Sequence, residues 1–175
     1  MQGCTGENMK LLSFTCSLVA LLSLTGCQTA SMQLQRQAEE KPQHPAIKIF
    51  EDICLNSYPA NDSALKTAAV KHGIRGFETK YGKGMFGPYQ YESGSNTDQS
   101  MFVTYWPGKA GCVLKVKSNT QKSDEIIYHV QLGKAVQKKY RNVDPMQKSM
   151  TTYQNGKVIQ FTYFNMDGFD YFSIN

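Results

Sequence analysis

Hydrophobic residues along this chain change their spacing from one region to the next, and each spacing predicts a different kind of element. The first region is an unbroken run, LLSFTCSLVALLSL from Leu11 to Leu24, with no charge in it. A spanning helix needs about 20 apolar residues, so the run is short for a membrane crossing and has the length of a signal-peptide core. Residues 28–45, QTASMQLQRQAEEKPQHP, are polar and close with two prolines. They offer little apolar area to bury, which predicts a flexible tether, with a short amphipathic helix through Met32 and Leu34 as the competing reading.

From residue 46 the spacing becomes helical. Ile47, Phe50, Ile53 and Cys54 fall on one face of a helix that Pro59 should end. Asn61 or Asp62 can cap a second helix, with Ala64, Leu65, Ala68 and Ala69 on one face and Gly73 closing it in a left-handed conformation. Short β-rich runs follow, GFETKY, PYQYES, SMFVTYW and GCVLKVK, separated by turn residues. Helical spacing returns from Ser123 to Arg141, where Ile126, Val130, Gly133, Val136 and Tyr140 share a face. Ser123 is the expected cap, acids occupy the first turn, and bases occupy the last. Gly133 costs about 1 kcal/mol against Ala in a helix, which points to close approach of a neighbour.

Two hairpin signals end the chain, Asn155-Gly156 and Asp167-Gly168. Between them Ile159, Phe161 and Tyr163 alternate with Gln160, Thr162 and Phe164, the period of a half-buried strand. The order predicts an α+β fold: two short N-terminal helices and one long helix on an antiparallel sheet of about six strands. The expected organisation is a signal peptide over 1–26, a tether over 27–45, and one domain over 46–175.

Charge narrows the function only slightly. The formal net charge is +5 over 175 residues, too small an excess to predict nucleic-acid binding without a clustered basic footprint. The five cysteines say more through their positions. Leu24-Thr25-Gly26-Cys27 resembles the lipobox of bacterial lipoproteins at all four motif positions, and it follows an apolar run preceded by Lys10. A start at Met9 gives the basic leader that such a signal needs, whereas a start at Met1 adds Glu7. The resemblance implies cleavage before Cys27, a lipid on its sulfur, and a membrane partner through that lipid. With Gln28 next, it implies the outer membrane. Several acyl chains would anchor the product stably, at about 0.8 kcal/mol per buried methylene.

Removal of the leader leaves Cys54 and Cys112 in an exported domain, where a disulfide persists. The first lies on the inner face of a helix and the second opens a strand, so a bridge would staple helix to sheet. Phe50-x-x-x-Cys54, followed by a proline and an Ala-rich helix, resembles small uncharacterised exported proteins of proteobacteria. That resemblance implies no activity.

Candidate chemistry is sparse. His44 falls in the tether, His72 at a helix C-terminus, and His129 near the apolar arc of the long helix. A bridged Cys54 cannot serve as a nucleophile. There is no HExxH, no CxxC, no dense acidic loop and no GK[ST], so neither a metal nor another cofactor is expected. Asp167-Gly168-Phe169-Asp170 reads as a turn entering a strand. Tyr81, Phe86, Tyr89, Tyr91 and Trp106 are candidate partner contacts, set among glycines that permit shape. Lys134, Lys138 and Arg141 share a helix edge that could meet anionic headgroups. The expected function is that of a lipid-anchored, non-catalytic envelope protein that binds an envelope protein or glycan or aids assembly. An envelope enzyme or enzyme inhibitor acting on cell wall or lipid is the alternative.

Overall fold

Turn residues with positive φ set the strand boundaries in the C-terminal half. Asn155 and Gly156 lie at φ 52° and 73°, and Asp167 and Gly168 repeat the same pair of values. That geometry matches the right-handed twist of the flanking strands and closes two tight hairpins. The computed structural model describes residues 32–58, 61–85, 87–109, 111–118, 120–147 and 149–175. The apolar leader, the lipobox with Cys27, Pro59 and Phe86 lie outside the described residues.

Seven strands form one antiparallel sheet: β1 (Arg75–Gly84), β2 (Gly87–Ser95), β3 (Met101–Tyr105), β4 (Cys112–Lys117), β5 (Met150–Gln154), β6 (Lys157–Met166) and β7 (Phe169–Ile174). Their spatial order is β1-β2-β3-β4-β7-β6-β5. After β4 the chain crosses the sheet, reaches its far edge as β5, and returns by two hairpins to pair β7 with β4. The α+β expectation therefore holds, with seven strands where about six are expected.

Among the described residues, helices cover one face of the sheet. Four are described: α1 (residues 32–40), α2 (Pro45–Phe50), α3 (Asp62–Lys71) and α4 (Glu125–Lys139). A wider π turn, Glu51–Leu55, continues α2, with Asn56 N–H donating to Glu51 O. Lys139 Nζ then donates to the carbonyls of Leu55 and Tyr58 at the end of the turn. As expected, Asn61 caps α3 by accepting from Ala64 N–H, and Gly73 follows its end at φ 77°. Helix α4 starts one residue later than expected. Its cap is Asp124 rather than Ser123, and that side chain instead pairs with Lys41 at 2.5 Å.

The core lies between the helices and the inner sheet face. Ile47, Phe50 and Ile53 meet Val103, Leu114, Phe161, Phe172 and Ile174, all fully buried. The predicted face of α4 holds for Val130, Gly133, Val136 and Tyr140, but Ile126 is 49 % exposed. In the first turn it is Tyr128 that packs against the core, with its ring centroid 4.7 Å from that of His44. Gly133 is needed for close approach: a Cβ there would sit 2.5 Å from Pro145 and 2.9 Å from Met150 Sδ.

Cys54 and Cys112 are bonded, with Cα atoms 5.5 Å apart, so the π turn is stapled to the first residue of β4. The expected bridge is present. The expectation of a flexible tether through residue 45 requires correction. Residues 32–40 are helical, Ala38 is buried, and the segment is docked on α4. Buried Gln131 Nε2 donates to the carbonyls of Ala38 and Lys41, and its Oε1 accepts from His44 N–H. One side chain supplies what a polar, proline-containing segment cannot supply itself: partners for its backbone groups.

Candidate functional site

Position parity along β7 decides which side chains meet chemistry. Phe169, Tyr171 and Ser173 point to the helix-free face, and Asp170, Phe172 and Ile174 point to the core. A carboxylate at a core position needs partners, because an isolated buried charge costs several kcal/mol. Asp170 is fully buried and has them. Tyr163 OH and Asn165 Nδ2 donate to Oδ1, each at 2.9 Å. Thr120 Oγ1 donates to Oδ2 at 2.8 Å, and His44 Nε2 lies 2.9 Å from the same oxygen. Burial alone would raise the Asp170 pKa. The polar groups around it, Ser118, Asn165, Thr120 and Tyr163, outweigh it and hold the carboxyl below its ordinary value.

His44 is therefore not a tether residue. It is the N-cap of α2, and Pro45 after it occupies the first helical position, which Pro favours. Its Nδ1 accepts from Ala46 N–H at 3.2 Å, so the proton of the neutral ring sits on Nε2 and points at Asp170. Burial lowers the His44 pKa, and the neighbouring carboxylate offsets this only in part. The pair is a neutral imidazole bonded to a carboxylate. Both ring nitrogens are committed to the protein, so neither can take a proton from a substrate. Tyr163 is held protonated, its pKa pushed well above the ordinary value by burial and by Asp170. The cluster ties α2 and the loop before α4 to β6 and β7.

The other histidines and the bridged cysteines are committed as well. His72 Nε2 lies 3.2 Å from Asp52 Oδ2, and His129 Nε2 lies 2.8 Å from the Gln147 carbonyl. Cys54 is in the disulfide and carries no thiolate. Among the described residues there is no cluster of three potential metal ligands, and no helix is long and apolar enough to cross a membrane.

The opposite face of the sheet is the more open surface. Strand register sets its side chains in rows across the strands. One row runs Ser93, Thr104, Val113, Ser173, Thr162. Its hydroxyls pair at 3.1 Å (Ser93–Thr104) and 2.8 Å (Thr162–Ser173). The next runs Ser95, Phe102, Lys115, Tyr171, Phe164. Lys115 Nζ sits 4.0 Å above the Phe169 ring and 5.5 Å from both Phe102 and Tyr171, a cation–π arrangement. Phe164 stacks on Tyr171 with centroids 4.6 Å apart and is still 42 % exposed. Met166, on the row beyond, is 50 % exposed.

The residues that the sequence singles out divide between surfaces. Tyr89 and Tyr91 share the helix-free face, with rings 5.9 Å apart. Tyr89 lies across Gly82 and Gly84, so that a Cβ at Gly82 would come within 2.4 Å of the ring. Tyr81, 76 % exposed, points to the other side of the β1–β2 ribbon. Trp106 follows β3 and rests on Gly111. On α4, Lys134 pairs with Glu39 at 2.6 Å and Lys138 with Glu51 at 3.9 Å, so two members of the basic edge already face acids, while Arg141 is exposed.

Phe102, Lys115, Phe164, Phe169 and Tyr171 were not singled out by the sequence. Their signal is parity: in both β6 and β7 aromatic residues occupy the two strand faces. No protein-family model matches this chain, and no curated protein or solved structure matches it.

Proposed function

We propose that this chain is a lipid-anchored, non-catalytic binding protein of the bacterial cell envelope, held at the outer membrane through Cys27. The observation that carries the binding reading is the row Phe102–Lys115–Tyr171–Phe164 on the helix-free face. Partly exposed aromatic rings beside a lysine, with Phe164 at 42 % exposure, are suited to contact, whereas the polar cluster around Asp170 is closed on itself. The anchoring reading rests on the lipobox resemblance at Leu24–Cys27.

The two readings fit together geometrically. Residues 32–44 dock in the helix layer, on the side away from the aromatic row. Four residues, 28–31, separate Cys27 from this docked segment. A chain that short spans at most about 17 Å. A lipid on Cys27 would hold the helix layer toward the membrane and leave the aromatic face turned outward.

Two measurements test the proposal. Mass spectrometry of the protein isolated from membranes should show a chain beginning at Cys27 with a diacylglyceryl adduct. Crosslinking in intact cells, followed by pull-down, should recover an envelope component with wild-type protein and lose it with Tyr171→Ala. A chain with its leader intact and no lipid would end the anchoring reading. Equal recovery with the variant would end the binding one.

A further inference from the structure

The composition of the helix-free face favours one class of occupant. Protein interfaces concentrate aromatics and Met at a buried centre and are depleted in Lys and Ser. Here hydroxyl residues fill four of the five positions of the long row, around Val113 at its centre, and Lys115 sits in the middle of the aromatic row beside it. A hydroxyl keeps spare capacity after one bond, since it has one donor and two acceptor positions. The hydroxyl row crosses five adjacent strands, from Ser93 on β2 to Thr162 on β6, a length of about 19 Å at the usual strand spacing. Ser93, Thr104 and Thr162 are partly exposed while Ser173 is buried, so the wettable positions lie toward the two ends of the row, with aromatic rings along one side.

Charge points the same way. Lys80, Lys115 and Lys117 belong to this face by register, and Glu78 is the acid among its β1 positions. Tyr89 adds a ring with one side against the Gly82–Gly84 backbone and 39 % of the residue exposed. The negative face of an aromatic ring attracts the polarised C–H groups of a sugar, just as it attracts cations.

Resting on the envelope-binding reading above, we infer that the helix-free face binds an acidic polysaccharide chain laid across the strands. Its hydroxyls bond to the partly exposed Ser93, Thr104 and Thr162, its C–H faces rest on the aromatic row and Tyr89, and its carboxylates or phosphates meet Lys115 and its neighbours. A second copy of this chain is a poorer occupant, since it would bring the same lysines to the contact.

Affinity electrophoresis of the full chain in detergent, through gels containing polygalacturonate or neutral dextran, tests this. Retardation by polygalacturonate and not by dextran is expected. Lys115→Gln should weaken it about tenfold, the usual effect of losing one charge-assisted contact. Tyr171→Ala should weaken it as well, and Lys138→Gln, the same charge change on the helix side, should leave it unaltered. Equal losses for Lys115→Gln and Lys138→Gln would overturn the inference, because they would mean diffuse attraction. Absence of retardation, or equal retardation by dextran, would also overturn it. Recovery of a protein partner through Tyr171 in the cellular crosslinking, with no polysaccharide retention, would overturn the inference and leave the binding reading standing.

Discussion

Asp170→Asn replaces one atom, yet it should be among the most damaging changes available. The carboxylate accepts from four side chains, two on each oxygen. An amide keeps one acceptor and turns the other position into a donor. If Nδ2 takes the Oδ2 place, it faces His44 Nε2–H, and His44 cannot shift its proton without losing the Ala46 N–H bond to Nδ1. If it takes the Oδ1 place, it faces the Tyr163 hydroxyl and the Asn165 amide. Either way two charge-assisted bonds are lost, each of about 1.5–3 kcal/mol. Relief of burying a charge offsets part of this, leaving about 2–4 kcal/mol. Urea unfolding followed by circular dichroism should show the midpoint falling by roughly 1–2 M at an unchanged slope. A midpoint within error of the wild type would refute the claim that this carboxylate organises the core.

The His44 ring has a distinct pH signature. Its folded pKa is lowered by burial, so its stabilising contribution is complete above the unfolded value of about 6.5 and declines as pH falls through the folded value. Stability measured between pH 7 and 5 should therefore fall in the wild type, with a shallower slope in His44→Gln; identical slopes would contradict the assignment. Gly133→Ala should destabilise by about 1–3 kcal/mol despite its helix propensity, because the new Cβ meets Pro145; a raised melting temperature would contradict this. Tyr140 OH is buried with no hydrogen-bond partner among the described residues, so Tyr140→Phe should be neutral or stabilising by about 1 kcal/mol. A loss of more than that would show that the hydroxyl is bonded. The Cys54–Cys112 bridge spans 58 residues, and its reduction should cost up to about 4 kcal/mol. Thiol labelling of the native domain should find neither cysteine until a reductant is added, and ready labelling would refute the bridge.

Strand elements were legible because their signals are local. Alternation in Ile159, Phe161 and Tyr163 and the two positive-φ turn pairs each depend on neighbours within a few residues. The disulfide was legible because Cys54 fell on the inner face of a predicted helix and Cys112 at the start of a predicted strand. Residues 32–45 were misread because their stabilising partner lies far along the chain: Gln131 is about ninety positions away from the carbonyls it satisfies. Composition reports a segment's own capacity for burial, and this segment borrows that of α4. His44 was misread with it, although Pro45 carried a helix-start signal. Asp170 was read as part of a turn, yet its parity with Phe172 and Ile174 marks a carboxylate at a core position. The binding face was hidden for another reason. Its rows join residues from five strands, and only the strand order places Phe102 beside Lys115, Tyr171 and Phe164.

Site-specific photocrosslinking in intact cells tests most directly which face meets a partner. A benzophenone side chain is placed at Phe164 on the helix-free face or at Ile126, an exposed position on α4. Irradiation should yield a slower-migrating adduct from position 164 and none from 126. Adducts from 126 alone would contradict the account and move the contact to the helix layer.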